Sequence, residues 1–282
     1  MRAIGRTLPF IMELAGLPPD ETRASAAATE RWRKILSEGH GRIRFAHRLF
    51  RYLPSPPRCK VCHNPFGGVG GKLVGMLGFA RSRKNPNLCA MCCDRLPPGG
   101  AELDIAVLFA DVRGSTTMGE LLGPGAYAAR LNRFYNVATE VLVRYDAIID
   151  KLIGDEVMAL FIPGICGPTY HQIAAQALLD LLRAVGYDRT DRAWMPIGAA
   201  VNSGIAYVGN VGGNNVMDFT ALGDPVNTAA RLASVAAAGE GLLSETVYAS
   251  VKREFPNLER RTLSLRGKEA PVNVRVLHPA AA

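Results

Sequence analysis

The stretch DIAVLFADVRGST, Asp104 to Thr116, decides how the rest of the chain is read. Ile105, Ala106, Val107, Leu108, Phe109 and Ala110 form an unbroken apolar run, as a strand buried on both faces would. Asp111 stands at its end. Gly114, Ser115 and Thr116 follow as a tight turn whose hydroxyls are candidates to cap a helix. A carboxylate on a strand end, beside free backbone N–H groups, suits a metal-bound phosphate. The plainer alternative is a buried strand with a solvated acid, and the surrounding chain has to choose between them.

Working outward toward the C-terminus, Ala126–Asp146 reads as a long amphipathic helix, with Leu131, Phe134, Tyr135, Ala138 and Val141 at helical spacing. Residues 147–152 and 156–161 flank Ile153-Gly154-Asp155, a strand–turn–strand hairpin with a second carboxylate at its tip. A helix is expected over His171–Val185, and strands over Ile197–Asn202 and Ile205–Gly209. Asp224-Pro225 then opens a helix, with Asp as N-cap and Pro at the first helical position. Asn227 and Arg231 are four apart on it and share a face. A short helix near Glu245–Val251 and strands around Leu263–Leu265 and Val272–Val276 complete an α+β arrangement, one sheet with covering helices.

Three segments now carry a resemblance. FADVRGST at 109–116, KLIGD at 151–155 and ALGDPVNTAARL at 221–232 stand in the order and approximate spacing of the class III nucleotide cyclases. The likeness extends over roughly residues 103–278. It implies the ferredoxin-like, palm-like cyclase sheet with covering helices over 101–282, and the closure of a nucleoside triphosphate to its 3′,5′-cyclic monophosphate with loss of pyrophosphate.

By that resemblance Asp111 and Asp155 bind two divalent ions, Mg²⁺ or Mn²⁺, with help from the Val112 carbonyl. The amides of Gly114, Ser115 and Thr116 hold the β- and γ-phosphates. Lys151 and Thr220 match the positions that read the base. Lysine donates to a ring-nitrogen acceptor and threonine accepts from an exocyclic amine, which points to ATP as substrate and adenylyl cyclase as the activity. Thr220 departs from the Asp often found there, so a guanylyl cyclase is the alternative. Asn227 orients the ribose, Arg231 stabilises charge on the α-phosphate, and Lys268 stands where the family places a phosphate-binding lysine. Family members build each site across a dimer, and one chain here carries both half-sets, so the expected assembly is a homodimer. A cyclic-dinucleotide synthase is disfavoured because Ile153 replaces the first glycine of that family's hairpin. A catalytically silent nucleotide-binding or scaffolding module would be expected to have lost at least one of these residues.

Toward the N-terminus the character changes. Residues 1–100 hold 17 Lys/Arg against 6 Asp/Glu, whereas the rest hold 16 against 19. The boundary between a basic module, 1–100, and the catalytic domain, 101–282, is therefore expected near Pro97–Gly100. Trp32, Ile35, Leu36, Ile43, Ala46, Phe50 and Leu53 lay one apolar stripe along an Arg-rich helix over residues 29–53, weakened at Gly39 and Gly41 and stopped by Pro54. The stripe is read as packing on a neighbouring element or on a symmetry mate; membrane-surface docking is the less favoured reading.

Cys59-x2-Cys62 and Cys89-x2-Cys92 then form two knuckles able to present four thiolates to one ion. Structural zinc is the first reading, an iron–sulfur cluster the second, kept open by Cys93, and free or redox-responsive thiols the third. Cys59 to His63 also fits the c-type haem spacing, but that would leave the second pair unexplained. Gly67–Lys72 imitates a phosphate loop, yet Phe66 and Leu73 break the pattern, and a flexible turn between knuckles is expected. Arg81, Arg83 and Lys84 would be the nucleic-acid contacts, a minority reading without interleaved aromatics. Paired cysteines in a chain of this size favour metal over disulfides and a reducing compartment, so the cytoplasm is expected. No apolar run approaches the length of a membrane span.

Overall fold

The computed structural model describes residues 26–38, 58–59, 62, 64–76, 80–81, 89, 99–188, 193–212 and 217–279. The strand read from DIAVLFADV is the backbone of the architecture. It is β1, Gly100–Val112, and it pairs antiparallel with β3 (Glu156–Phe161) on one edge and β4 (Ile197–Gly212) on the other. Its side chains alternate between two cores: Leu103, Ile105, Val107 and Phe109 on one face, Ala106, Leu108, Ala110 and Val112 on the other. A continuous apolar run is what such two-sided burial requires.

Around β1 the sheet has the order β2-β3-β1-β4-β6-β8-β7, with β5 (Met217–Leu222) also paired to β4. The outer strands are β2 (Ile148–Ile153), β6 (Gly241–Ser244), β7 (Glu259–Leu263) and β8 (Val272–Leu277). Among the described strands only the β4–β6 pairing is parallel. Because β1 occupies one edge of β4 over residues 197–209, β6 and β5 share the opposite edge, at its beginning and end.

Helices cover both faces. On one lie α1 (Ala26–Glu38), through Trp32 and Leu36, and α7 (Asp224–Val235), through Ala229, Leu232 and Ala233. On the other lie α4 (Pro124–Arg144), α6 (Tyr170–Leu182) and α8 (Glu245–Val251). Short helices α2 (Gly68–Met76), α3 (Ser115–Leu122) and α5 (Pro163–Cys166) fill the connections. The result is the expected α+β layering. No helix among the described residues is long and apolar enough to cross a membrane.

Several local expectations are corrected. The two strands expected over 197–209 are one, because β1 pairs along that whole length. Gly204 sits where Pro225 of α7 packs close rather than in a turn: a Cβ there would lie 2.9 Å from the proline ring. The flexible turn expected at 67–72 is the start of α2; a Cβ on Gly71 would fall 2.6 Å from the Phe66 backbone, so this glycine permits close packing. The strand expected at 263–265 ends at Leu263. Gly223 is the N-cap of α7, with Asp224 and Pro225 inside the first turn. Strand β5 was not anticipated at all.

The change of charge near Pro97–Gly100 does not coincide with a break in packing. Trp32, Leu36, Cys59, Cys62 and Cys89 belong to the same core as β1 and β5, and Trp32 stacks on Phe219 with ring centroids 5.9 Å apart. The expected helix is described over 26–38; its continuation from 39 to 53 lies outside the described residues.

Candidate active site

Asp111 occupies the end of β1, opposite Glu156 on β3 and Gly198 on β4. The β2–β3 hairpin turns through Gly154 and Asp155, with Gly154 in the left-handed region at φ 59°. Two hydrogen bonds hold its tip beside Asp111. The Val112 amide donates to the Asp155 carbonyl at 3.2 Å, and the Tyr135 hydroxyl on α4 donates to the Gly154 carbonyl. Burial pushes the Asp111 carboxyl up, the Arg113 guanidinium opposes this, and the neighbouring Asp155 carboxylate pushes it up again. Glu156 is raised as well, by burial first and then by Asp111 and Asp155. Three carboxyl groups thus share one mouth, and the crowding of like charge is what a hard divalent cation with oxygen ligands relieves. The Asp111–Asp155 pair fits such an ion.

Arg113 was missed from the sequence. It is ion-paired to Asp111, and its Nη1 donates to the Ser234 carbonyl of α7 at 2.6 Å. Its spacing of two from Asp111 places both on one side of an extended chain, and that is the signal that was available. Glu156 was equally readable, as the residue after Asp155.

Gly114 adopts the left-handed region (φ 67°, ψ 28°) as N-cap of α3, so Ser115 and Thr116 lie in its first turn. Neither hydroxyl caps the helix, contrary to expectation, because the cap position belongs to a residue without a side chain. The amides of this turn, still without intrahelical partners, remain suited to phosphate oxygens.

Lys151 and Thr220, distant in sequence, are brought together. Lys151 Nζ on β2 donates to Thr220 Oγ1 on β5 at 3.2 Å, and Thr220 Oγ1 donates to Asp150 Oδ2 at 2.5 Å. Asp150 was not anticipated.

Helix α7 carries the third group. The Asn202 side chain donates to the Pro225 carbonyl at 3.0 Å and ties the start of α7 to β4. Asn227 is exposed and Arg231 half-buried, one turn further on. Gly267, at φ 74°, lies against the Arg231 guanidinium; a Cβ there would stand 3.3 Å from Nη2. Lys268 Nζ reaches both carboxylate oxygens of Asp224 at 2.6 Å. The turn that carries Lys268 therefore packs on the helix that carries Asn227 and Arg231.

Away from this mouth, the sulfurs of Cys59, Cys62 and Cys89 converge within 4.8 Å of one another, all buried. Cys62 and Cys89 sulfurs are 3.6 Å apart, and the Cys89 amide donates to the Cys59 sulfur at 3.2 Å. Soft donors in this arrangement, one with an N–H directed at sulfur, fit a thiophilic ion such as zinc. Cys92, the expected fourth ligand, and Cys93 lie outside the described residues, as do Arg83 and Lys84. Arg81 instead stacks over the Phe66 ring at 5.0 Å.

Residues 101–278 match the family described as adenylate and guanylate cyclase catalytic domain. Among curated relatives, an uncharacterized protein of Mycobacterium tuberculosis is 31% identical over 214 residues, which is 73% of this chain and 37% of the relative. The chain thus spans little more than a third of the length of the curated relatives it matches. The adenylyl cyclase CyaB from P. aeruginosa is similar in structure, at TM-score 0.54 and 29% identity over 62% of this chain and 94% of that one. The guanylyl cyclase Cya2 shares the fold at TM-score 0.56 and 21% identity, over 65% of this chain and 95% of that one.

Proposed function

The chain belongs to the adenylate and guanylate cyclase catalytic domain family, and from that premise we propose that it converts ATP to 3′,5′-cyclic AMP and pyrophosphate at sites shared by two copies of itself. The observation that carries the choice of ATP is the Lys151–Thr220 contact. A lysine donor beside a threonine hydroxyl complements the N1 acceptor and the C6 amine of adenine.

In the reaction the ribose O3′ bonds to the α-phosphorus in line as the bond from that phosphorus to the α,β-bridging oxygen breaks. Pyrophosphate leaves with that oxygen, and the 3′-hydroxyl proton is lost to water. Asp111 and Asp155, with the Val112 carbonyl, would hold two Mg²⁺ or Mn²⁺ ions, which when bound neutralise phosphate charge and acidify the 3′-hydroxyl. Amides of Gly114–Thr116 receive the β- and γ-phosphates. Arg231 meets the charge that develops on the α-phosphoryl oxygens, and Asn227 orients the ribose. Lys268 exchanges Asp224 for a phosphate oxygen as substrate enters.

One chain supplies Asp111 and Asp155 and its twin supplies Lys151, Thr220, Asn227, Arg231 and Lys268. Exposed apolar side chains support a partner here: Leu152 and Ile153 follow Lys151 on β2, Leu222 follows Thr220 on β5, and Ile205 lies on the adjoining β4. Cys59, Cys62 and Cys89, with Cys92, hold a structural zinc ion in an N-terminal module, residues 1–100, that regulates the enzyme or supports its dimer. The cytoplasm, which supplies nucleoside triphosphate and keeps thiols reduced, is the proposed location.

Purified protein incubated with ATP or GTP and Mn²⁺ or Mg²⁺, with products separated by chromatography, tests the reading. Cyclic AMP is expected; absence of either cyclic nucleotide refutes it, and preferential cyclic GMP overturns the base assignment. Asp111→Ala and Arg231→Ala should each be inactive and regain activity when mixed, through one intact site per heterodimer. A properly mixed pair that stays silent refutes the shared site.

A further inference from the structure

Strand β2 contains an irregularity at the residues that read the base. Its pairing with β3 runs Ile149 with Ala159 and then Lys151 with Met158, so Asp150 is an extra residue in a β-bulge. In a regular strand adjacent side chains point to opposite faces, and Asp150 and Lys151 would have no common partner. A bulge re-aims the side chains at its site. Here both reach the same atom: Lys151 Nζ donates to Thr220 Oγ1 at 3.2 Å, and that hydroxyl donates to Asp150 Oδ2 at 2.5 Å. Asp150 and Thr220 are 3% and 4% exposed, so water competes poorly for this bond.

From this geometry we infer that Asp150 is a specificity-positioning residue, which holds the Thr220 hydroxyl proton so that Thr220 can only accept from the substrate base. The inference rests on the ATP reading above and deepens it. A threonine hydroxyl has one proton and two lone pairs. Asp150 takes the proton and Lys151 takes one lone pair. What remains is a single lone pair, and it can only receive a donor. The C6 amine of adenine supplies one; the C6 carbonyl of guanine sets lone pair against lone pair. Thr220 alone would not discriminate in this way, because an unrestrained hydroxyl rotates to donate to a carbonyl as readily as it accepts from an amine. The carboxylate behind it converts an ambivalent group into an acceptor.

The test is the ratio of kcat/KM for ATP to that for GTP. Asp150→Ala removes the acceptor and should lower the ratio about tenfold or more, with GTP turnover rising. Asp150→Asn keeps an acceptor oxygen in the same place and should hold the ratio within about threefold of wild type, a rescue that a role for charge would not produce. An unchanged ratio in Asp150→Ala, or an equal loss in Asp150→Asn, overturns the inference. Should either variant fail to fold, the wild-type enzyme decides the matter with 6-methoxypurine ribonucleoside triphosphate. That substrate keeps the N1 acceptor and places an oxygen acceptor at C6. Turnover at least tenfold poorer than ATP is expected, and turnover equal to ATP overturns the inference. Failure of the ATP reading is distinguishable, because it appears as a wild-type preference for GTP. Failure of the Asp150 role leaves wild-type ATP preference intact while Thr220→Val still abolishes it.

Discussion

Gly198→Ala should damage the enzyme from beneath the site without touching a residue that meets substrate. Gly198 pairs with Asp111 in the β1–β4 ladder and lies under the end of α7. A Cβ built there stands 2.5 Å from the Ala236 carbonyl oxygen and 3.0 Å from its carbonyl carbon and Cβ. Ordinary contact begins near 3.4 Å, so Ala236 must retreat by about 0.9 Å. It cannot do so alone. The Ala236 amide donates to the Leu232 and Ala233 carbonyls, so the last turn of α7 follows it. That turn includes the Ser234 carbonyl, which receives Arg113, and begins one residue after Arg231. Overpacking of this kind costs about 1–3 kcal/mol. For a chain of this length that is a fall in Tm of about 2–5 °C. A shift near 1 Å in a transition-state group costs about 10–100-fold in kcat. Thermal unfolding by circular dichroism and steady-state kinetics with ATP read the two effects. Gly75→Ala is the control: nothing lies within 4 Å of its Cβ position, and in the last turn of α2 it should leave stability unchanged or raise it by up to about 0.5 kcal/mol, with activity unchanged. A Gly198→Ala enzyme with wild-type Tm and kcat would refute the argument that this close approach positions α7.

Two further outcomes follow from other parts of the structure. Burial pushes the Glu240 carboxyl up, but two hydrogen bonds from Arg261 at 3.0 Å and one from the Ala237 amide outweigh it and hold the group below its usual range. A depressed carboxyl contributes stability that is complete above its unfolded pKa and lost as pH falls through the folded one. Arg261→Met should therefore cost about 2 kcal/mol in urea unfolding at pH 7 and progressively less below pH about 4; a cost independent of pH would refute this. At the cysteine cluster, elemental analysis should find about one zinc per chain and a colourless protein. Cys62→Ser should lower both zinc content and Tm. Brown protein containing iron would replace zinc by a cluster, and metal-free protein of unchanged stability would refute the site.

Strand β1 and the hairpin were legible because their signals are local: an apolar run, a glycine turn and a carboxylate at each end need only neighbouring residues to be read. Asp111 and Asp155 stand at the ends of that local pattern and Asn227 and Arg231 share a face of the later helix, while the roles proposed for them come from the family resemblance. Misread features depend on what packs against them. Gly71 and Gly204 looked like breaks because glycine permits both a turn and a close approach, and only the position of Phe66 or Pro225 separates the two. Trp32 read correctly as packing on a neighbour, but nothing in residues 29–53 says that the neighbour is Phe219 on a strand almost two hundred residues away.

Asp150 is the sharpest case, because the rule that makes strands legible is the rule that hides it. The resemblance assigns Lys151 to the base, and alternation then sends Asp150 to the other side, where a buried acid has no evident purpose. One inserted residue cancels the alternation at that point, and no composition or period records it. On the proposed reading, the same displacement lets Thr220 stand where the resemblance leads one to expect an aspartate: the carboxylate comes from Asp150 on β2, one hydroxyl removed from the base. On this view acceptor character at the base is kept while the group that supplies it is divided between two strands, and the bulge is what makes the division geometrically achievable.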